Sequence, residues 1–536
     1  MTNKYSSQSG AVMTTAIIMM VVMSVFILTA VSVINLNMSA VIRNEKSQQA
    51  FNIAEAGVNY YLWHLAHNAG DLKDGHSGDS PINDPNSQYN GYYGPYTHTY
   101  YSGDLKNFGT YTLYIKPKSD GSSVAIVKSI GKSNTNTSYT RTIEAEIGGP
   151  SWSRFGLAAN VPLWFGADNN TQETADGPVF SSIGIRMDGP SNSDVVAAQA
   201  TYGGYAHLGA GNPSNPGVWC SNSIKNPDCA TRDKSLWVYP PKAVNAPDFT
   251  NLTVDLCELK KLSFSYHSST QGLLSNNNPC LDTPTTATNP AYIPRYASTY
   301  NSTRGYLIEL NSDGTTYNLR KVSGESYSSN STKSYTQALT YNGNSTTVAI
   351  PSNKVIFVED NVWVRTNPKF NGKVTIVAGR LASSSQTAKV IIADNLAYAN
   401  KTDGSNSIGL ISEGYIEVAP YAPSNQNSGA FNLEINGALV AADTTNGYVR
   451  VPSNYLNNQS LPKWTNPNQT LTFYGSIVMA GSNANTSYWT WSYTDGEGYG
   501  YNSTTYDDSL YYDPPPSFPV TGSYNILKWR EILVKP

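Results

Sequence analysis

The side chains that could take part in chemistry are few and scattered. Four cysteines, Cys220, Cys229, Cys257 and Cys280, fall in one region of a 536-residue chain that has no others. An even, clustered set reads as local disulfides and points outside the cell. Four cysteines allow three pairings, and closing short loops favours Cys220 with Cys229 and Cys257 with Cys280. Zinc is the rival use of the thiols, but no Cys-x-x-Cys spacing is present. His64 and His67 stand one turn apart on a helical pattern with no third ligand beside them. Most Asp residues sit in turn pairs, Asp120-Gly121, Asp313-Gly314, Asp403-Gly404 and Asp495-Gly496, where a short carboxylate serves the backbone. The stretch from Asp168-Asn169-Asn170 to Asp176 has oxygens enough for a calcium loop but lacks the Asp-x-Asp-x-Asp-Gly order. Gly-x-Ser-x-Gly and His-Glu-x-x-His are absent. The expectation is a chain that is not an enzyme, with no cofactor and no metal.

One peptide bond is the exception, as a place where chemistry is done to the chain. Ser9-Gly10-Ala11 stands at the front of a run without charge from Ala11 to Ile42, mostly apolar as far as Ile34. As a helix rising ~1.5 Å per residue, that run crosses the ~30 Å hydrocarbon layer. Its few hydroxyls, Thr14, Thr15, Ser24, Thr29 and Ser32, can bond back to helix carbonyls. A secretory signal has its small-residue cleavage site after the apolar region. Here Gly10 precedes it, so cutting after Gly10 would remove the polar leader Met1–Gly10 and leave the helix with a new start at Ala11. Apolar residues then recur at Phe51, Ala54, Val58, Tyr61 and Leu65, at helical steps. One helix over 11–67 is predicted, with residues 11–34 in the membrane and the second half amphipathic.

The pair of signatures Ser9-Gly10-Ala11-Val12 and Ala54-Glu55-Ala56-Gly57 resembles the amino-terminal segment of the PilX-type minor pilins, over roughly Gln8 to Tyr61. The resemblance implies processing by a prepilin peptidase between Gly10 and Ala11. It implies a single-pass precursor in cytoplasmic-membrane lipid with its head outside. After assembly with other pilin subunits, it implies a place at the cell surface in a type IV pilus or related filament. Most pilins carry Glu at the fifth mature position, and here that position is Thr15. This departure resembles minor subunits placed at a filament tip.

Composition narrows the rest. Charged residues are 14% of the chain and the formal net charge is -3, so there is no electrostatic footprint for nucleic acid. Tyr is abundant, at 38 residues, amid many Asn, Ser and Thr. Aromatic faces beside amide and hydroxyl groups suit surface glycans as a partner class.

The fold expected is mainly β behind the long helix. Residues 68–109 read as loop or short edges, and Thr110–Ile115, Val124–Ile130 and Ser138–Ile147 as an antiparallel meander completing a pilin-like region over 68–148. Beyond it, short apolar strands recur about every twenty residues, as in stacked solenoids. Candidates are two strands within 176–185, then 355–364, 373–378, 389–393, 408–418, 432–441 and 472–479. Each is too short to stand alone. Stacked as a right-handed parallel β-helix they would share one core; an antiparallel sandwich is the alternative. The plan is a first solenoid segment over 149–201, a disulfide-containing insertion over 202–352 with a hairpin at 305–322, and a main solenoid over 353–536. The final strand around Trp529 is expected to cap the solenoid's open end. The function expected is a low-copy or tip-located pilin-like subunit whose large head serves assembly or attachment. The alternatives are a tethered glycan-binding adhesin that never polymerises and a polysaccharide-degrading β-helix enzyme.

Overall fold

A computed structural model describes residues 9–67, 71–76, 78–101, 103, 106–118, 124–134, 139–166, 173–203, 214–221, 227–242, 244, 246–264, 280–282, 289–297, 299–329, 335–382, 386–424, 431–450, 469–482, 499, 501–522 and 524–532. The chain divides into two compact units. One comprises residues up to 116, 125–148 and from 524 onward; the other comprises 117–124 and 149–523.

In the first unit, α1 (Ser9–His67) is a single helix of 59 residues, about 90 Å long by its rise. It is followed by β1 (Tyr93–Tyr101), β2 (Asn107–Pro117), β3 (Val124–Ser133) and β4 (Thr140–Gly148). The sheet runs β1-β2-β3-β4 and is completed by the C-terminal strand β28 (Asn525–Ile532), antiparallel to β4. Ala50, Ile53, Ala54, Val58, Tyr61 and Leu65 of α1 are buried at three- and four-residue steps. From Ile53 onward they share a core with Leu113, Ile115, Val127, Ile143, Ala145 and Ile147 of the sheet. The backbones approach closely because the facing residues are small. A Cβ on Gly131 would lie 2.1 Å from the Ala50 carbonyl oxygen, and one on Gly57 2.3 Å from Ser129 Oγ.

Two expectations fail in this unit. The stretch 68–109 contains β1, a nine-residue strand, and the start of β2. Its sequence, Tyr93-Gly-Pro-Tyr-Thr-His-Thr-Tyr-Tyr, hides the strand because only Tyr96 is buried and aliphatic alternation is missing. The final strand does not cap the solenoid. It pairs with β4 from Asn525↔Gly148 to Ile532↔Thr142, so the sheet is closed by the far end of the chain and residues 149–523 are inserted between two neighbouring strands.

The second unit contains, in chain order, β5 (Leu157–Ala159), β6 (Leu163–Phe165), β7 (Val179–Ser181), β8 (Ile185–Met187), β9 (Val195–Ala197), β10 (Thr201–Tyr202), β11 (Asn215–Pro216), β12 (Val218–Trp219) and β13 (Trp237–Val238). Helix α2 (Asn251–Phe264) follows. Next come β14 (Tyr292–Ile293), β15 (Gly305–Asn311), β16 (Thr316–Ser329), β17 (Tyr335–Ala349), β18 (Val355–Val358), β19 (Asn361–Asn367), β20 (Lys373–Ala378) and β21 (Val390–Ile392). The unit ends with β22 (Ser407–Ser412), β23 (Ile416–Val418), β24 (Phe431–Ala441), β25 (Val449–Arg450), β26 (Gln469–Met479) and β27 (Tyr501–Tyr506).

Its largest sheet is parallel and runs β13-β9-β7-β5-β26-β24-β22-β20-β18-β14, with β27 beside β26. The parallel row β15-β19-β21-β23-β25, extended by the hairpin strands β16 and β17, forms a second face, as does β12-β8-β6. These are the faces of a parallel β-helix-like stack, and the sandwich alternative falls. The winding order is unexpected. The chain joins the stack in its middle at β5 and steps outward to β13. It resumes at the opposite edge, β14, and winds back until β26 lies beside β5. The return must cover ten strand positions, roughly 43 Å at the usual spacing. Part of it is α2. Phe249, Leu252, Leu256, Leu259 and Phe264 pack on the sheet's outer face with Phe180, Val355, Phe357 and Val377. The inner residues, Ile356, Val358, Ile376, Leu410 and Leu439, belong to the central core.

Burial on both faces explains where strand boundaries were misread. The stretches 355–364 and 408–418 are two strands each, broken at Glu359-Asp360 and Glu413-Gly414. A strand covered on both sides is apolar throughout, so no alternation marks where it ends. The region 202–352 is likewise not an ornament, since β12, β13, β14 and β15 are members of the solenoid sheets. A pair of stacked glycines allows one close approach of backbones: Gly437 and Gly475 are in register with φ of 156° and 154°, and a Cβ on Gly475 would lie 1.8 Å from the Gly437 carbonyl oxygen.

Candidate functional site

The two halves of α1 have opposite surroundings. Val12 to Glu45 is exposed along its whole length, although it contains Val, Ile, Met, Leu and Phe on every side. By length and composition this helix can cross a membrane. Ser24 Oγ donates to the Met20 carbonyl at 2.7 Å, Ser32 Oγ to Leu28 at 2.8 Å, and Thr29 Oγ1 to Phe26 at 2.9 Å. These polar interruptions are therefore satisfied within the helix. Gly10 and Ala11 lie in its first turn, and Thr15 is on its exposed part. Residues 1–8, the bulk of the leader, lie outside the described residues.

The second signature lands at the helix–sheet contact. Ala54 and Gly57 are buried, Ala56 is half-buried and Glu55 faces out. Phe51, Glu55, Val58, Ile526 and Trp529 rim a cleft of only about 50 Å³, far below the ~300 Å³ of ordinary ligand sites. At the helix end, His64 Nε2 stands 2.9 Å from Asp71 Oδ2, and the same carboxylate accepts the N–H groups of Lys73 and Gly75 at 2.8 and 2.7 Å. Burial pushes the Asp71 carboxyl up, but these donors outweigh it and hold it below the ordinary aspartate value. His67 Nδ1 meets the Trp63 carbonyl oxygen instead, 2.8 Å away.

In the second unit, both expected disulfides are present, Cys220–Cys229 and Cys257–Cys280, with Cα separations of 5.8 and 5.4 Å. Asp313 and Asp403 serve their turns, accepting the N–H groups of Thr315 at 2.8 Å and Ser405 at 2.9 Å. The turns at Asp120 and Asp495, and Asp168–Asn170, lie outside the described residues. The carboxylates at the coil corners, Glu359 and Asp360 buried and Glu413 half-buried, are absent from the sequence expectations. Glu413 Oε2 accepts the N–H groups of Arg380 and Ala388 at 2.6 and 3.0 Å. Asp360 accepts those of Tyr296 and Asn361 at 3.0 and 2.9 Å. Glu359 receives Lys260 Nζ at 2.6 Å with both side chains fully buried, and the Tyr292 hydroxyl at 3.2 Å. Burial raises the Glu359 carboxyl and lowers the Lys260 ammonium. The sequence signal is position: Glu359 directly follows the apolar strand Val355–Val358, and Glu413 directly follows Ser407–Ser412.

A larger cleft, of about 630 Å³, opens beside β12 and β13, the outermost strands at one end of the stack. It is lined by Trp219, Trp237, Tyr239, Lys234, Lys242 and the Cys220–Cys229 disulfide. Trp219 is also the end of a ladder. Trp164 on β6, Arg186 on β8 and Trp219 on β12 are in register, and the guanidinium lies 4.7 and 5.3 Å from the two indole centroids. Buried Asp188 holds Arg186 at 2.7 Å and accepts Trp164 Nε1–H and the Ser221 N–H, each at 2.9 Å. Trp219 Nε1–H donates to the Tyr202 hydroxyl at 2.8 Å.

No protein-family model and no curated protein matches the sequence. Among solved structures, the chain is similar to the crystal structure of competence-associated pilin ComZ from Thermus thermophilus. The TM-score is 0.26 at 11% identity, over 91% of this chain and 98% of that one.

Proposed function

We propose that this chain is a type IV pilin-like subunit, cut after Gly10, whose α1 anchors it in the membrane and then packs into a filament. The observation that carries this reading is the asymmetry of α1. Apolar residues of Ala50 to Leu65 are covered by the sheet, while the apolar side chains from Val12 to Ile42 are exposed on every side of the helix. Such a surface needs lipid or other helices around it. The two disulfides fit a head outside the cytoplasm.

The role is packing, not catalysis. A head of this size would clash if repeated at every position of a closely stacked helical core, which favours a rare or tip-located subunit. Thr15, in place of an acid that could neutralise a neighbour's amino terminus in a low-dielectric core, supports the same placement. The test is a Gly10→Val variant expressed with the rest of the filament machinery. It should remain in the membrane fraction and vanish from sheared filaments. Equal amounts of variant and native protein in the sheared fraction would overturn the proposal in favour of a tethered, non-polymerising protein.

A further inference from the structure

We infer that the cleft beside β12 and β13 is a binding site for a carboxylated sugar, a uronic or sialic acid unit of a surface polysaccharide. The inference belongs to the head alone and stands or falls separately from the filament reading. The cleft's volume, about 630 Å³, lies within the ~300–1,000 Å³ range of small-molecule sites. Its walls combine the two chemistries such a ligand needs. Half-buried Trp219 and Tyr239 offer ring faces for the C–H face of a pyranose, over buried Trp237, whose ring lies under Lys234 Nζ at 5.7 Å. Lys234 and Lys242 are exposed ammonium groups at the same cleft, and among the described side chains no carboxylate lines it. The neighbouring acid, Asp233, turns its carboxylate to the Ser235 N–H and hydroxyl at 3.0 and 2.5 Å. A locally cationic cleft in a chain of net charge -3 selects an anionic ligand.

The site is also pre-organised. The disulfide ties the wall at Cys220 to Cys229. Lys242 Nζ donates to the Trp237 carbonyl at 2.7 Å, which holds that ammonium at the cleft. Trp219 is fixed on one side by the Arg186 ladder, and its indole N–H is already taken by Tyr202. Its remaining asset is a ring face, which favours stacking over hydrogen-bond readout. Single-stranded nucleic acid would need a cationic groove tracking several phosphates, and among the described residues this cleft has two lysines.

Calorimetric titration of the full chain in detergent micelles tests the site with matched probes. The pairs are trigalacturonate with its methyl ester, and sialyllactose with lactose; oligothymidylate is the nucleic-acid control. At least one acidic sugar should bind about tenfold or more tightly than its neutral counterpart, as expected for one charge-assisted contact. Added salt should weaken that preference. The double variant Lys234→Gln/Lys242→Gln, at two exposed positions, should erase the preference while leaving the melting temperature unchanged. Trp219→Phe should keep binding and Trp219→Ala should lose it. Binding of neither acidic sugar, equal binding of the neutral partners, indifference to the lysine variants, or tighter binding of oligothymidylate would each overturn the inference.

Discussion

The two halves of α1 form one continuous helix, yet they obey different rules. From Ala50 to Leu65, apolar residues keep to one stripe, and that stripe is covered by the sheet of the first unit. From Val12 to Ile42, apolar residues surround the axis and nothing described covers them. The difference separates what a segment needs in order to fold from what it needs in order to function. The second half is specified by contacts inside the chain. The first half is specified for a solvent or a partner that the chain does not contain. The same contrast recurs within the solenoid, where Val355-Ile356-Phe357-Val358 is apolar on both faces because the chain itself supplies both coverings, the central core and α2.

Four substitutions or titrations would break or sharpen this contrast. The largest effect is expected at a covered charge. Glu359→Gln leaves the fully buried Lys260 ammonium without its counter-ion and should lower the stability of the solenoid by about 3–5 kcal/mol; replacing both by Glu359→Gln/Lys260→Met should recover much of it in the same denaturant melts. Next, Val22→Lys places a charge at the middle of the exposed half, costing about 2.5–3.5 kcal/mol of membrane insertion. It should shift protein from the membrane to the soluble or degraded fraction while leaving the head's thermal unfolding unchanged. A drop in head stability instead would mean that this half packs on the head.

Gly131→Ala tests the opposite half. The added methyl meets the Ala50 backbone oxygen and the Ala54 nitrogen, neither of which can move independently of the helix. About 1–3 kcal/mol of the first unit's stability should be lost, with membrane partitioning unaltered. The smallest effect concerns the end of α1. Asp71 is held below the ordinary aspartate pKa, so its contribution is present at neutral pH, above the unfolded value, and lost as acid takes the pH down through the folded value. His64→Ala removes one of the partners and should raise the Asp71 titration midpoint toward that of a free aspartate, as read by NMR.

How far the sequence could be read follows from the same physics. α1 was legible end to end, because an uncharged run and a three- and four-residue stripe are both unambiguous signals. Loop length favoured the observed disulfide pairing, but the sequence does not choose among the three possible ones. The β-helix was legible as a class, from strands too short to stand alone. Its winding order was not. Nothing local distinguishes a coil that continues from Val195 to Trp237 from the jump that brings Tyr292 beside Phe357 at the other edge. The return of Asn525–Ile532 to β4 was equally silent, since pairing Asn525 with Gly148, far apart in the chain, leaves no local trace. Glu359, Asp360 and Glu413 escape a sequence reading because charged residues usually signal a surface, and here they tie down backbone N–H groups or a lysine at corners that are buried or, for Glu413, half-buried. The lysine–tryptophan cleft is assembled from residues on either side of Cys220 and Cys229 and from Trp237 to Lys242, whose nearness only the fold creates.

On the proposed function, the uncovered half of α1 is a processed filament helix. Mass spectrometry of the amino-terminal peptide, on protein recovered from cell surfaces, tests it most directly. A chain starting at Ala11 is the predicted result. Recovered protein that still carries the residues before Ala11 would contradict the claim and leave a membrane-tethered head.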